Sequence, residues 1–485
     1  MVLPFKTTSM LQEYFEYQND MSKKYGDNTV IFMEVGSFYE IYEIELDSFN
    51  GGGPLNIGKT KEIGNLLNIQ VTKKKKAIPH TIKNPYMVGF PNYAIDKFIS
   101  KLMEHNYTVV KIDQYDDPNA KDPKDPKLRK IDKIYSPSTY IDDSIQLSNY
   151  LVCVCIEKHN TRGNTRDNTF TYGYLSAVDL STGESRVYTA FDKQGTPGKQ
   201  GAENDIFRFI HTLNPQEIIF TSDGSDDRES LINRYQLSNK IVHLRDIKKE
   251  YRKISYQNTF LRKIFKSKNC DPIEYLDLSS YPDLVLSFIC LLQFAYEHDN
   301  SIINKIKKPT IMLDDEHLVL NNDSIYQLNL ISSNSSNKSK FSSLLNVIDS
   351  TVTNMGKRLI KNRILYPITD GKQLEKRYDM VDKMREKNVS VVFSKILSDI
   401  CDIEKKHRRI NLQKLSPAEF YMLTFSYTSI IELLKITQEY KFYKVTQLTK
   451  LFTSFYTEYN RIFDVFSMKD IPLTSIKNSF FNNGI

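Results

Sequence analysis

The sequence predicts a multidomain protein in which two mixed α/β domains are followed by a domain that is nearly all helical. The chain has 485 residues, too many for one compact core, and a length of this order favours about three domains. Hydrophobic residues make up 40% and aromatic residues 12% of the chain, as in a folded protein. Strand-like apolar runs alternate with helical patterns up to about residue 275, after which helical spacing dominates.

The first domain is assigned to residues 1–143, where both patterns occur. A stripe of Met10, Leu11 and Tyr14, with Gly26 after the last turn, predicts the first helix. The apolar runs NTVIFMEV, LNIQVT and YTVVKIDQY predict strands, and the spacing within NYAIDKFISKLMEH predicts a helix before the last of these strands. The stretch DDPNAKDPKDPK is rich in Pro, Asp and Lys and predicts a loop.

The second domain is assigned to residues 144–275 and the third to residues 276–485. Strands are predicted for YLVCVCIE, FTYGYLSAVDL, ESRVYTAF and EIIF, with the amphipathic stretch NDIFRFIHTL before the last of them. Ser416 and Glu419, with a proline between them, have the spacing of a helix-capping box and predict the start of a long helix in the third domain.

The charge and the cysteines limit the class of protein. Lys and Arg exceed Asp and Glu by 66 to 59, a mild bias towards polyanions such as nucleic acid. The runs KKKK and EKKHRR are equally typical of a solvated face and of a polyanion contact. The five cysteines are too scattered for a disulfide framework and lack zinc-ligand spacing, so no metal site is predicted. No apolar run approaches the roughly 20 residues that span a bilayer, and we expect a soluble, intracellular protein without a membrane partner.

The segment GSFYE places an aromatic ring and a carboxylate one residue apart. If the chain is extended there, Phe38 and Glu40 face the same side. Together they could address one base, since a ring can wedge at a base step while a carboxylate accepts a hydrogen bond from a base edge. Without its context, the pattern is more typical of a core aromatic beside a surface acid.

The context of this segment resembles the MutS family of mismatch-repair proteins over almost the whole chain. Five blocks follow the order and spacing of the family's first domain: VIFMEVGSFYEIYE, LNIQVTKK, MVGFPNYAIDKFISKL, YTVVKIDQYDDP and IYSPSTYID. The second domain is similar to the family's RNase H-like connector in YGYLSAVDLSTGE and LNPQEIIF. The third resembles the helical lever in LLNVIDSTVTNMGKRLIKNRILYPITDGKQLEKR and DIEKKHRRINLQKLSPAEF. Ser37 and Ser138 depart mildly from the family's pattern, which usually has an acid and a glycine there.

The resemblance implies mismatched-DNA binding in DNA mismatch repair. Phe38 matches the family's wedging phenylalanine and Glu40 its base-contacting glutamate, so the implied partner is double-stranded DNA with a mispair or a small loop, kinked on binding. Lys73 and Lys74 correspond loosely to a basic pair and are expected to contact backbone phosphates.

The same resemblance implies that the chain ends within the lever, before the family's clamp and ATPase domains. We therefore expect no catalytic residue in residues 1–485, and ATP with Mg²⁺ only where the ATPase domain is present. A complete protein is expected to form a homo- or heterodimer.

A competing pattern occurs at Gly53–Thr60, where Gly53, Gly58, Lys59 and Thr60 satisfy the phosphate-loop pattern GxxxxGK[ST]. A phosphate loop joins a buried strand to a helix, whereas the preceding segment here is charged and polar, so the context argues against a nucleotide site. Asp179 and Glu184 could suggest a two-metal nuclease, but no further acids occupy matching strand positions. A third alternative is an interaction protein that kept the fold and lost DNA recognition.

Overall fold

A computed structural model of the chain describes most of its residues. They are residues 10–46, 55–116, 127–141, 148–161, 168–192, 201–222, 226–266, 270–312, 317–318, 320, 322–331 and 339–469.

The first part of the chain forms a sheet covered by helices on both faces. Its elements are α1 (Met10–Tyr25), β1 (Thr29–Val35), β2 (Phe38–Leu46), β3 (Leu55–Ile57), α2 (Thr60–Leu67), β4 (Thr72–Lys73), β5 (Tyr86–Pro91), α3 (Ile95–Glu104), β6 (Thr108–Tyr115) and β7 (Leu128–Tyr135). The strand order is β4-β5-β2-β1-β6-β7, with β3 also paired to β2, and only β1 and β6 run parallel. Side chains of α1 pack on one face, and those of α2 and α3 on the other.

Two predicted helices and two of the three predicted strands in this region are confirmed, but LNIQVT is mostly not a strand. Leu67 ends α2, and Asn68 adopts a left-handed conformation with φ of 59° that closes the helix. Only Thr72 of this segment lies in a strand, β4. The apolar side chains of Leu67 and Ile69 pack into the core from the end of α2 and the turn that follows it. A short apolar run therefore did not distinguish a strand from the end of a helix.

The second sheet is built from β8 onwards. Its elements and their helices are β8 (Tyr150–Thr161), β9 (Asn168–Asp179), β10 (Glu184–Phe191), α4 (Gly201–Leu213), β11 (Glu217–Ser222), α5 (Arg228–Arg234), β12 (Ile241–Leu244), α6 (Ile254–Phe265), α7 (Pro272–Tyr275), α8 (Pro282–His298) and β13 (Thr310–Ile311). The strand order is β12-β11-β8-β9-β10-β13. This mixed α/β architecture agrees with the predicted class, and the RNase H-like assignment stays a prediction.

The second sheet continues past the predicted boundary at residues 275 and 276. Helix α8 is apolar on nearly every side and packs against β8 and β9, and β13 pairs in parallel with β10. Both elements lie in the range that we assigned to the third domain. An almost wholly apolar helix is stable only when it is buried, and the sheet face covers it.

From Asn322 onwards the described residues are mainly helical, as predicted. Its helices are α9 (Asn322–Gln327), α10 (Leu344–Ile348), α11 (Asn354–Leu365), α12 (Gly371–Glu386), α13 (Ser390–Ser398), α14 (Ile403–Asn411), α15 (Pro417–Glu439) and α16 (Thr446–Ile462). The predicted capping box at Ser416 and Glu419 is present and starts α15. In the described part of the chain, no helix combines the length and the apolar character needed to cross a membrane.

Candidate nucleic-acid interface

Phe38 and Glu40 lie on the same face of β2, at the end of the first sheet where a turn joins β1 to β2. Gly36 has φ of 64° and forms the tight turn between β1 and β2, in which Val35 pairs with Phe38. On its other side, β2 pairs Phe38 with Pro91 and Glu40 with Gly89 of β5. Because alternate residues of a strand face the same side, the ring and the carboxylate project together from the sheet.

The ring of Phe38 is unusually accessible for a phenylalanine in a central strand. Its side chain is 45% exposed, whereas Tyr39 and Ile41, on the opposite face of β2, are buried. Tyr93 follows the neighbouring strand end and is 85% exposed, and the backbone N–H of Asn92 ties that segment to the carbonyl of Ser37 at 2.9 Å. This end of the sheet therefore offers exposed aromatic rings next to a tight turn.

A tyrosine holds the carboxylate of Glu40. The hydroxyl of Tyr42, two residues along the same face, donates a hydrogen bond to Oε2 of Glu40. Tyr42 is fully buried and packs edge-on against Tyr14 of α1, with ring centres 5.0 Å apart. Burial, and then the charge of Glu40, raise the pKa of Tyr42, so its hydroxyl stays protonated. Sequence reasoning missed Tyr42, although its spacing from Glu40 placed it on the same face.

The predicted phosphate contacts lie further along the sheet. Lys73 pairs with Tyr86 at the start of β5, while Phe38 pairs with Pro91 at its end, a separation of roughly 17 Å along an extended strand. The ammonium of Lys73 donates to the carbonyl of Ile78 at 2.8 Å, and Lys74 is exposed. The structure thus does not bring Lys73 and Lys74 next to Phe38 and Glu40.

The phosphate-loop pattern does not have phosphate-loop geometry. Gly53 lies outside the described residues. Gly58 has φ of 97°, and a Cβ there would lie 2.2 Å from the carbonyl oxygen of Tyr42, so this glycine serves close backbone packing. The N–H of Lys61, in the first turn of α2, donates to the carboxylate of Glu43 at 2.7 Å. A buried carboxylate therefore occupies the position that a phosphate takes in a true phosphate loop.

Of the two residues that would act on a nucleotide, Thr60 is inaccessible and Lys59 has protein partners. Thr60 is fully buried. The ammonium of Lys59 donates to Oδ1 of Asn28 at 3.1 Å and lies 3.4 Å from the carboxylate of Glu62. The structure gives no support to a nucleotide site at this segment.

Replacing Lys59 by alanine is expected to have small effects. It removes a partly exposed ion pair, and such pairs contribute at most about 1 kcal/mol, so the free energy of unfolding should change by less than that amount. Affinity for DNA should stay unchanged. Urea unfolding and a DNA titration check both expectations; ATP binding by the 485-residue chain that disappears in the Lys59→Ala variant would restore the phosphate-loop hypothesis.

The two carboxylates that could suggest a nuclease also have partners within the protein. Asp179 accepts hydrogen bonds from the backbone N–H of Ser181 at 2.9 Å and from its hydroxyl at 2.6 Å, and Glu184 pairs with Lys307. Among the described residues, no group of three or more His, Cys, Asp or Glu side chains is arranged to hold a metal ion.

Comparison with known proteins links the chain to one family. Residues 59–144 match the family model of MutS domain I, and residues 323–469 match that of MutS domain III. The chain is 28% identical to a DNA mismatch repair protein mutS homolog of Acanthamoeba polyphaga mimivirus, over 99% of this chain and 44% of the relative. It is 27% identical to the DNA mismatch repair protein MutS of Caldanaerobacter subterraneus subsp. tengcongensis, over 98% of this chain and 49% of the relative. A mitochondrial mutS homolog of Sarcophyton glaucum is 24% identical, over 96% of this chain and 51% of the relative.

The chain spans about half the length of these curated relatives. Among solved structures, a fowlpox virus resolvase in complex with Holliday junction DNA matches 29% of this chain, with 17% identity and a TM-score of 0.18, a likeness too low to support any inference. The two domain matches flank the second sheet, and the relatives' matches run through it. The chain is thus similar to MutS proteins along nearly its whole length, and two of its regions match MutS domain models.

Proposed function

We propose that this chain recognises mispaired bases or small unpaired loops in double-stranded DNA, with Phe38 as a wedge and Glu40 as the base-contacting group. One observation carries the proposal: an exposed phenylalanine ring and a carboxylate share one face of the first sheet, next to the turn between β1 and β2. The proposal is in keeping with the names of the relatives, which are DNA mismatch repair proteins.

The physical basis is the deformability of DNA. Stacked, paired bases resist the insertion of a side chain, whereas a mispair has already lost part of that resistance. An apolar ring inserted from the minor groove kinks the duplex at the weak step. Phe38 suits this role because its ring is accessible while the strand that carries it is held between β1 and β5.

Glu40 supplies the polar contact. Its Oε2 accepts from Tyr42, and its Oε1 has no hydrogen-bond partner among the described residues. That free oxygen can accept a hydrogen bond from the edge of a displaced base. A carboxylate is repelled by phosphates, so its place beside the wedge favours a base contact over a backbone contact.

Phosphate contacts are proposed for Lys73 and Lys74. Their separation from Phe38, roughly 17 Å, is about half of a turn of B-form DNA, so one duplex could reach both regions. Such contacts are independent of sequence and would make binding depend on salt. By resemblance to the family, ATP with Mg²⁺ and dimerisation belong to the longer proteins, and no catalytic step is proposed for residues 1–485.

A titration with two labelled duplexes tests the proposal. The duplexes have the same sequence except for one mispair, and fluorescence anisotropy gives the dissociation constant of each. We expect tighter binding to the mismatched duplex, with both affinities falling as salt is raised. Equal affinities at every salt concentration would contradict mismatch recognition.

Replacing Tyr42 by phenylalanine is expected to weaken mismatch binding through Glu40. The ring and its packing stay, but the carboxylate loses its donor, a change of about 1 kcal/mol or roughly fivefold in affinity. The matched control is Tyr39→Phe, which removes the neighbouring hydroxyl that donates to Asp113 at 2.7 Å. Tyr42→Phe should reduce affinity for mismatched duplex alone, and Tyr39→Phe should leave both affinities unchanged. Equal effects of the two variants would argue against a positioning role for Tyr42.

A further inference from the structure

We propose that a cavity between the second sheet and helix α11 binds a small phosphate monoester that carries a planar ring, of the nucleoside monophosphate class. The cavity has a volume of about 360 Å³ and lies against β10, β13, α4 and α11. A neighbouring cavity of about 210 Å³ shares part of its lining. Volumes of this order are typical of small-molecule sites. The shared lining consists of Glu184, Arg186, Thr212, Asn362, Leu365 and Tyr366.

Two cations of the lining, Arg186 and Lys361, form no ion pair with a carboxylate among the described residues. The guanidinium of Arg186 lies over the rings of Tyr150 and Tyr366, at 5.7 and 5.9 Å from their centres, and forms no ion pair within the described ranges. Lys361 also lines the smaller cavity, and burial lowers its pKa with no neighbouring carboxylate to oppose the shift. Burial and the charge of Lys361 lower the pKa of the adjacent Lys240 to about 8. A bound anion would relieve this concentration of positive charge.

The described carboxylates around the two cavities have other partners. Glu184 pairs with Lys307, and Glu404 pairs with Arg358 at 2.5 Å. Asp179 accepts two hydrogen bonds from Ser181. None of them is arranged to neutralise Arg186 or Lys361. Two such cations match the charge of a phosphate monoester, which is about −1.5 to −2 at pH 7.

The larger cavity offers a surface for a planar ring. Tyr188 and Phe209 contribute to its wall, and their rings stack with centres 6.1 Å apart. The hydroxyl of Tyr366 is buried in the wall that both cavities share, where Arg186 and Thr212 are its neighbours. The combination of an aromatic wall and two cations favours a nucleotide over an isolated phosphate.

Isothermal titration calorimetry on the 485-residue chain tests the proposal with AMP, adenosine and inorganic phosphate. AMP should bind more tightly than either of the other two, because only AMP contacts both the basic and the aromatic parts of the cavity. No AMP binding at millimolar concentration would overturn the proposal. Phosphate binding as tight as AMP binding would overturn the assignment of a planar ring.

A lysine variant keeps the test specific for this cavity. Lys361→Met should weaken AMP binding by about tenfold or more, because charge-assisted hydrogen bonds are strong. In the absence of ligand it should raise the Tm, since it removes a partly buried charge that no described carboxylate pairs. Arg363→Met, an exposed position on the same helix, is the matched control and should change neither quantity. AMP binding that Lys361→Met leaves unchanged would place the nucleotide elsewhere and overturn the proposal.

Discussion

Replacing Phe38 by alanine is expected to remove most of the preference for mismatched over matched duplex. The lost ring contact corresponds to roughly 1 to 3 kcal/mol, or about a five- to 150-fold decrease in affinity for the mismatched duplex. Affinity for matched DNA should change little, because sequence-independent phosphate contacts do not involve the ring. Anisotropy titrations with both duplexes measure the ratio directly.

The exposure of Phe38 separates this effect from unfolding. The ring is 45% exposed, and the backbone pairs of Phe38 with Val35 and Pro91 do not require it, so the variant should stay folded. Phe191→Ala is the matched control, since its ring is 50% exposed at the end of β10 in the other sheet. Two outcomes would contradict the assignment of Phe38 as a wedge. One is an equal loss of affinity for both duplexes in Phe38→Ala, and the other is the same loss of preference for mismatched duplex in Phe191→Ala.

The face shared by Phe38 and Glu40 could be predicted from sequence because strand geometry is local. A spacing of two residues in an extended segment places side chains together whatever the rest of the fold does. The same rule also places Tyr42 on that face. Its hydrogen bond to Glu40 could not be predicted, because it depends on Tyr14 and the rest of α1 burying the ring from a distant part of the chain.

Other features depend on contacts between distant parts of the chain, so local sequence patterns could not predict them. The second sheet extends past residue 275 because α8 packs on β8 and β9 and because β13, a two-residue strand too short to give a sequence signal, pairs with β10. From the sequence, the run EKKHRR was equally typical of a solvated face and of a polyanion contact. In the structure, however, Lys405, Lys406 and Arg408 are buried. Buried charges are rare unless they are paired or hydrogen-bonded, so their partners, which lie elsewhere in the chain, decide this outcome.

Arg408 joins the helical region to the second sheet through backbone carbonyls. Its Nε donates to the carbonyl of Leu180 at 3.1 Å, just after β9, and its two terminal nitrogens donate to the carbonyls of Ile302 and Asn304, between α8 and β13. Only the forked guanidinium can reach three acceptors in this way. The side chain is 2% exposed. Water therefore cannot readily replace Arg408 as the hydrogen-bond donor to these carbonyls.

Replacing Arg408 by leucine is therefore expected to destabilise the chain by roughly 3 kcal/mol or more, since a buried acceptor that loses its donor is unfavourable by about 1 to 3 kcal/mol. The contacts between α14 and the second sheet should weaken first, so urea unfolding followed by far-ultraviolet circular dichroism should shift to lower urea and lose cooperativity. Arg408→Lys should recover only part of the loss, because an ammonium lacks the fork. Arg385→Leu, at an exposed position of α12, is the matched control and should change stability by no more than about 0.5 kcal/mol. An unfolding curve of Arg408→Leu that overlays this control would show that the three carbonyls do not depend on Arg408, and that other contacts join the two regions.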